Sequence, residues 1–364
     1  MMKKRGLLML SLSVLTSASA WAADQQGMTR GTPDLKSADV LAFGPDDVLF
    51  VGDNKSAAVF AIATGNKEGN PAQAEFCIEN VSKAISDVVG EEAAVTDLVV
   101  NPSTGHVFVA VAAAGKPAIV QVDGAGKITE LSLADVRFSK ASLSDAPADK
   151  EVSDGRRSRN NRSDTITDLA FYEGKVLVSG LRDAGAPSSI RELNFPFAAA
   201  DKGVSVQIYH AAHGRDEDYA AARTIVPMTI DGQPSLLAAY VCTPLVKIPL
   251  KDVEGGKEKV TGTTVAELGN RNRPLDMITY DKAGNTFLLL SNSARGVMKI
   301  TTTGLSENSG LSEPVRGGGT AGQTYETIES LHGVVQMDKL NDSHAVVLTQ
   351  SDDGQQKLMT VVLP

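Results

Sequence analysis

Thr167-Asp168-Leu169-Ala170-Phe171 is followed by a turn at Glu173-Gly174 and then by Lys175-Val176-Leu177-Val178-Ser179. The pattern is an acidic residue, a short apolar strand, a polar turn containing glycine, and a second apolar strand. It recurs with changes as Asp39-Val40-Leu41-Ala42-Phe43 before VLFVGD, and as Thr96-Asp97-Leu98-Val99-Val100 before HVFVAV. Short runs rich in β-branched residues, separated by Gly, Asn and Asp, read as antiparallel strands joined by tight turns.

Aligned on the residue that opens the first strand, the copies begin at Asp39, Asp97, Asp168, Pro227, Asp276 and His332, at spacings of 58, 71, 59, 49 and 56. Periods of this length suit four-stranded units. Three clear strands and a weaker fourth can be read in most units; AEFCIE is the fourth of the first unit, and the sixth has only three. Long amphipathic helices are absent, and Val81–Val89 is the one short helix expected. These features predict an all-β chain folded as a six-bladed β-propeller of four-stranded blades, with seven blades as the alternative. The segment Gln26 to Leu35 is expected to add the outer strand of the sixth blade and close the ring.

The T-D-L-(A/V)-(F/V) phrase with its following turn and strand resembles the secreted propeller families, NHL-type and gluconolactonase- or strictosidine-synthase-like. The resemblance covers most of the chain as a pattern and implies a fold shared by unrelated functions. Gluconolactonase-like members bind a channel metal through Glu, Asn and Asp, a pattern without a match here, so no ligand is carried over.

Residues 1–22 read as a signal peptide: Lys3, Lys4 and Arg5, an apolar run, and Ala20-Trp21-Ala22 as a cleavage pattern. Residues 23–364 then form one propeller domain, expected in a periplasm or secreted, with no membrane span. Losing three basic residues leaves 32 against 44 acidic ones, a net charge of −12. That balance argues against nucleic acid as a partner. Trp21, the only Trp, leaves with the signal, which excludes a sugar site built on stacked Trp. Cys77 and Cys242 fall in the first and fourth units, too far apart in such a ring for a disulfide.

Three constellations carry the candidate chemistry. Asp39, Asp97, Asp168, Asp276 and His332 open strands that converge on one rim, where they either hold a hard cation such as Ca²⁺ or accept backbone N–H groups from the next blade. His210 and His213, in Tyr209-His210-Ala211-Ala212-His213, can join Cys242 around Cu or Zn if the segment turns. In an extended strand the two imidazoles would face opposite ways. The third constellation is basic: Arg156, Arg157, Arg159 and Arg162 in one connection, Arg215 and Arg223 before the fourth unit, and Arg271 and Arg273 before Asp276. Guanidinium groups at a concave rim suit carboxylate or phosphate.

No nucleophile elbow, P-loop or dinucleotide fingerprint is present. The leading expectation is an exported binding propeller with a channel-mouth site for a partner protein or small anionic ligand, in which the rim acids are held by backbone N–H groups. The alternatives are a metal-dependent hydrolase or lyase at the same mouth, and a copper-handling or redox-accessory protein using His210, His213 and Cys242.

Overall fold

The second strand of each unit is apolar along most of its length. Val48–Asp53 is buried at every position, as are Val176–Leu181 and most of Val107–Ala113. Strands with one wet face alternate in burial; continuous burial means packing on both faces. A computed structural model describes residues 27–153, 158–182, 187–197, 202–254 and 257–364. Residues 1–22, the expected signal peptide, and Arg156 and Arg157 lie outside the described residues.

The described strands form six antiparallel blades, with one further hairpin, Glu151–Ser153 with Ser158–Asn160. The inner strands, numbering the blades in chain order, are Val40–Phe43, Ala93–Val100, Asp168–Tyr172, Thr224–Ile230, Pro274–Lys282 and Val334–Lys339. Each lies beside two others, so the six close a ring around a central channel. The chain is therefore an all-β, six-bladed β-propeller, as the repeats predict.

The blades do not follow one another in chain order. Leu41, Leu49 and Phe60 of blade 1 pack on Val99, Phe108 and Ile119 of blade 2. Blade 1's other face, with Val48, Phe50 and Val59, packs on Leu169, Val176 and Val178 of blade 3. Blade 2 turns its remaining face, with Val107 and Val109, to Val346, Leu348 and Leu358 of blade 6. The order around the ring is thus 6, 2, 1, 3, 4, 5, with blade 1 between blades 2 and 3.

This order corrects three expectations. The outer strand of blade 6 is Cys77–Ile78, paired with Met359 and Leu358. The fourth strand of blade 1 is Val136–Ser142, not AEFCIE. The N-terminal strand Thr29–Gly31 adds to that outer strand of blade 1 and does not close the ring. Blade 1 is not adjacent to blade 6, so the N-terminal segment is held at the wrong blade to complete it. Cys77 accordingly sits on blade 6; it is exposed, and both cysteines are free thiols.

The helix Val81–Val89 carries the chain from that borrowed strand into blade 2. Asn80 caps its start by accepting the Lys83 N–H, and Gly90, at φ 80°, ends it in the left-handed region. Val81 and Ile85 bury against the interface of blades 2 and 6.

Candidate functional site

The channel mouth is built from one position on each inner strand. In blades 2, 5 and 6 a one-residue bulge precedes it, between Val95 and Asp97, Pro274 and Asp276, and Val334 and Gln336. Bulges re-aim side chains at sites of this kind. The position in blade 6 is therefore Gln336, four residues after the expected His332. In blade 3 it is Asp168, which pairs with Ser179 while the Thr167 amide donates to the Ser179 carbonyl. By the same register it is Val40 in blade 1, since Val40 pairs with Gly52 and the Asp39 amide donates to the Gly52 carbonyl. In blade 4 it is Thr224, not Pro227, with the Arg223 amide donating to the Ala239 carbonyl.

The acids at this level bind the blades to one another. The Asp97 carboxylate accepts the Leu41 N–H of blade 1 at 2.7 Å, Asp168 that of Ile225 in blade 4 at 2.7 Å, and Asp276 that of Met337 in blade 6 at 2.7 Å. Two residues beyond Gln336, Asp338 of blade 6 accepts the Val100 N–H of blade 2 at 2.7 Å. Every such bond runs to the next blade in the spatial order. Asp39, one residue out of register, stays within its own blade, accepting Ser37 Oγ at 2.5 Å and the Asn54 N–H at 2.8 Å. The Gln336 amide satisfies its surroundings when its nitrogen faces Asp97 Oδ1 at 2.9 Å and Asp276 Oδ2 at 3.0 Å, tying blades 5, 6 and 2.

Burial outweighs these donors. It pushes the Asp168 and Asp338 carboxyls up to about 6 against their amide hydrogen bonds. It drives Asp97 and Asp276 well above the carboxylate range, and repulsion from neighbouring channel acids adds to the rise.

Above this floor lies a cavity of about 440 Å³ lined by Asp39, Asp97, Asp168, Asp276, Arg223 and Arg273, among others. A second cavity of about 330 Å³ opens at the far end of the channel, and Asp97, Asp168 and Asp276 line both. Of the expected site residues, Asp39, Asp97, Asp168, Asp276 and Arg273 are gathered at the mouth. His332 is not: it caps a short 3₁₀ turn and is exposed. Arg223 Nη1 pairs with Asp164 Oδ1 at 2.8 Å. The Arg273 guanidinium has no hydrogen bond or ion pair among the described residues. Burial lowers its pKa and the nearby Arg223 lowers it further, only partly offset by Asp164.

His210, His213 and Cys242 also come together: one ring nitrogen of each imidazole and the Cys242 sulfur all lie within 4.8 Å of one another. Glu217 stands beside them and was not expected from the sequence. Its only signal there is its place seven residues after His210, on a strand too short to be read.

Fold and site define the class: a six-bladed β-propeller with an acid-floored, arginine-walled channel mouth. No family model matches the chain, and no curated protein matches it. Among solved structures it is similar to the PQQ-bound aldose sugar dehydrogenase of Streptomyces coelicolor, at 11% identity and TM-score 0.32, covering 92% of this chain and 98% of that one. It is similar also to a candidate 6-phosphogluconolactonase of Bacteroides uniformis, at 11% identity and TM-score 0.34, covering 92% and 78%. A hypothetical protein from Leishmania major matches at 10% identity and TM-score 0.35, covering 71% and 80%. The propeller assignment rests on the six blades themselves.

Proposed function

We propose that this is an exported binding propeller whose channel mouth takes a small anion-bearing ligand, a carboxylate or phosphate seated between Arg273 and Arg223. The observation that carries the reading is the unpartnered guanidinium of Arg273 beside Arg223, with Asp164 the one acid paired there. Arg223 is already paired with Asp164, so Arg273 is the guanidinium left at the mouth to hold an oxyanion through charge-assisted bonds. The mouth, about 440 Å³, has the volume of a small-molecule pocket, commonly about 300–1,000 Å³.

The floor favours binding over metal-assisted hydrolysis. Asp97, Asp168 and Asp276 each spend carboxylate lone pairs on backbone amides of a neighbouring blade, as the binding reading expects. Their raised pKa values let them meet ligand hydroxyls as neutral donors as well as acceptors. Export rests on the basic and apolar pattern of residues 1–22.

The test is calorimetric titration of residues 23–364 with inorganic phosphate and a panel of small mono- and dicarboxylates. At least one should bind, and Arg273→Gln should weaken it by about tenfold or more, the scale of one lost charged hydrogen bond. Equal binding by Arg273→Gln, or no binding across the panel, overturns the reading.

A further inference from the structure

The hairpin at the end of blade 3 places four polar side chains where a structural role alone would not need them. Val204–His210 is the outer strand, and the chain reverses through Ala211–Gly214 into Arg215–Glu217. The reversal is closed by the His213 and Gly214 amides, which donate to the His210 carbonyl at 3.0 and 2.8 Å, with Gly214 at φ 65°. That turn folds His213 back over His210, with the ring centres 3.8 Å apart.

One carboxylate fixes both rings. Glu217 Oε2 lies 2.8 Å from His210 Nδ1, and Oε1 lies 2.8 Å from His213 Nδ1, with Arg215 Nε donating to Oε1 at 2.9 Å. A carboxylate only accepts, so each Nδ1 carries the hydrogen and each Nε2 carries a free lone pair. The His210 Nε2 is buried with no hydrogen-bond partner among the described residues. An orphaned buried acceptor is costly unless something fills it.

The third donor comes from blade 4. Cys242 and Thr243 stand side by side in the left-handed region at φ 65° and 63°, where side-chain-bearing residues are uncommon. The turn is locked by the Cys242 amide on the Asn272 carbonyl at 2.8 Å and by Thr243 Oγ1 on the Gly269 carbonyl at 2.6 Å. Strain held so firmly, next to two oriented imidazoles, aims the sulfur.

We propose that His210, His213 and Cys242 bind a thiophilic metal ion, Zn(II) or Cu(I), through two imidazole Nε2 atoms and one thiolate, with Glu217 as the positioning residue. One ring nitrogen of each imidazole and the Cys242 sulfur already lie within 4.8 Å of one another, and small side-chain rotations would bring the three ligands to the roughly 3.5 Å separations of a site with bonds of ~2.0–2.3 Å. Carboxylate–imidazole–metal arrangements of this kind fix the tautomer and raise ligand basicity. His213 is well exposed and Cys242 half-buried, so the remaining coordination position faces solvent. The site is independent of the channel mouth.

The experiment uses residues 23–364, stripped with chelator and reloaded with Zn(II) or, under reducing conditions, Cu(I). Metal content is read by mass spectrometry after desalting, and competition with chelators selective for each ion separates the two. Co(II) loading gives a second readout, a sulfur-to-metal charge-transfer band. The expected result is one ion per chain, held equally well by Cys77→Ser. Cys242→Ser should abolish the charge-transfer band, and His213→Ala, on the exposed side, should lose the ion while its metal-free thermal melt matches that of the metal-free parent. Glu217→Gln should keep the stoichiometry with affinity lowered about 10–100-fold. Failure of the parent protein to retain either ion, or equal retention by the folded Cys242→Ser and His213→Ala variants, overturns the proposal.

Discussion

Replacing Asp168 by asparagine should make the protein less stable in acid and more stable in base, with a crossover between. The Asp168 carboxyl is raised from its ordinary 3.8 to about 6, chiefly by burial. A raised carboxyl pKa means that the folded state holds the proton more tightly than the unfolded chain. The associated stability is therefore complete below about pH 4 and is lost as the pH climbs through about 6. At ~1.4 kcal/mol per tenfold change, the loss by pH 8 is about 3 kcal/mol. Asparagine cannot ionise and escapes it. It retains one oxygen acceptor for the Leu169 and Ile225 amides, both now served at 2.7 Å, and gives up the second, at about 1 kcal/mol. Asp168→Asn should then be about 1 kcal/mol less stable than the parent near pH 4 and about 2 kcal/mol more stable near pH 8. Removing this charge also relieves Asp97 and Asp276, whose pKa values it helps raise, so the change runs further the same way. Urea unfolding of both proteins across that range isolates the difference, because groups that do not interact with Asp168 cancel. Stability curves that stay parallel would refute a proton-linked, channel-lining carboxyl at this position.

Ile78→Pro should loosen blade 6, not blade 1, because Ile78 pairs with Leu358 on the last strand; a proline there removes a ladder hydrogen bond, at about 1–3 kcal/mol. Hydrogen exchange should quicken over 356–362 and leave blades 3 and 4 protected; faster exchange in blade 1 instead would contradict the ring order. Arg191→Ala should cost about 3–5 kcal/mol in denaturant melts, by stranding a buried charge. Arg191 is 1% exposed and donates to Asp145 Oδ1 at 3.0 Å and to the Leu181 carbonyl at 2.9 Å. A cost under about 1 kcal/mol, the value of a surface pair, would mean that the pair is solvated.

Local pattern sufficed for much of this protein. Continuous apolar strands such as Val48–Asp53 bury on both sides wherever the blade lies, so six wedge-like sheets were legible from composition and turn spacing. The helix Val81–Val89 carries its own caps in Asn80 and Gly90, and it too was readable to the residue. Register and order were not. A strand shifted by one residue looks the same in sequence, yet it decides that Val40 rather than Asp39 shares the level of Asp168. A bulge is invisible until the partner strand is present, and it puts Gln336 between Asp97 and Asp276 in place of His332. Blade order depends on which apolar faces fit each other across hundreds of residues, as when Cys77–Ile78 completes the blade that ends the chain. His210 and His213 could be suspected from spacing, but the turn that stacks them and the carboxylate of Glu217 that orients both are set by the hairpin alone.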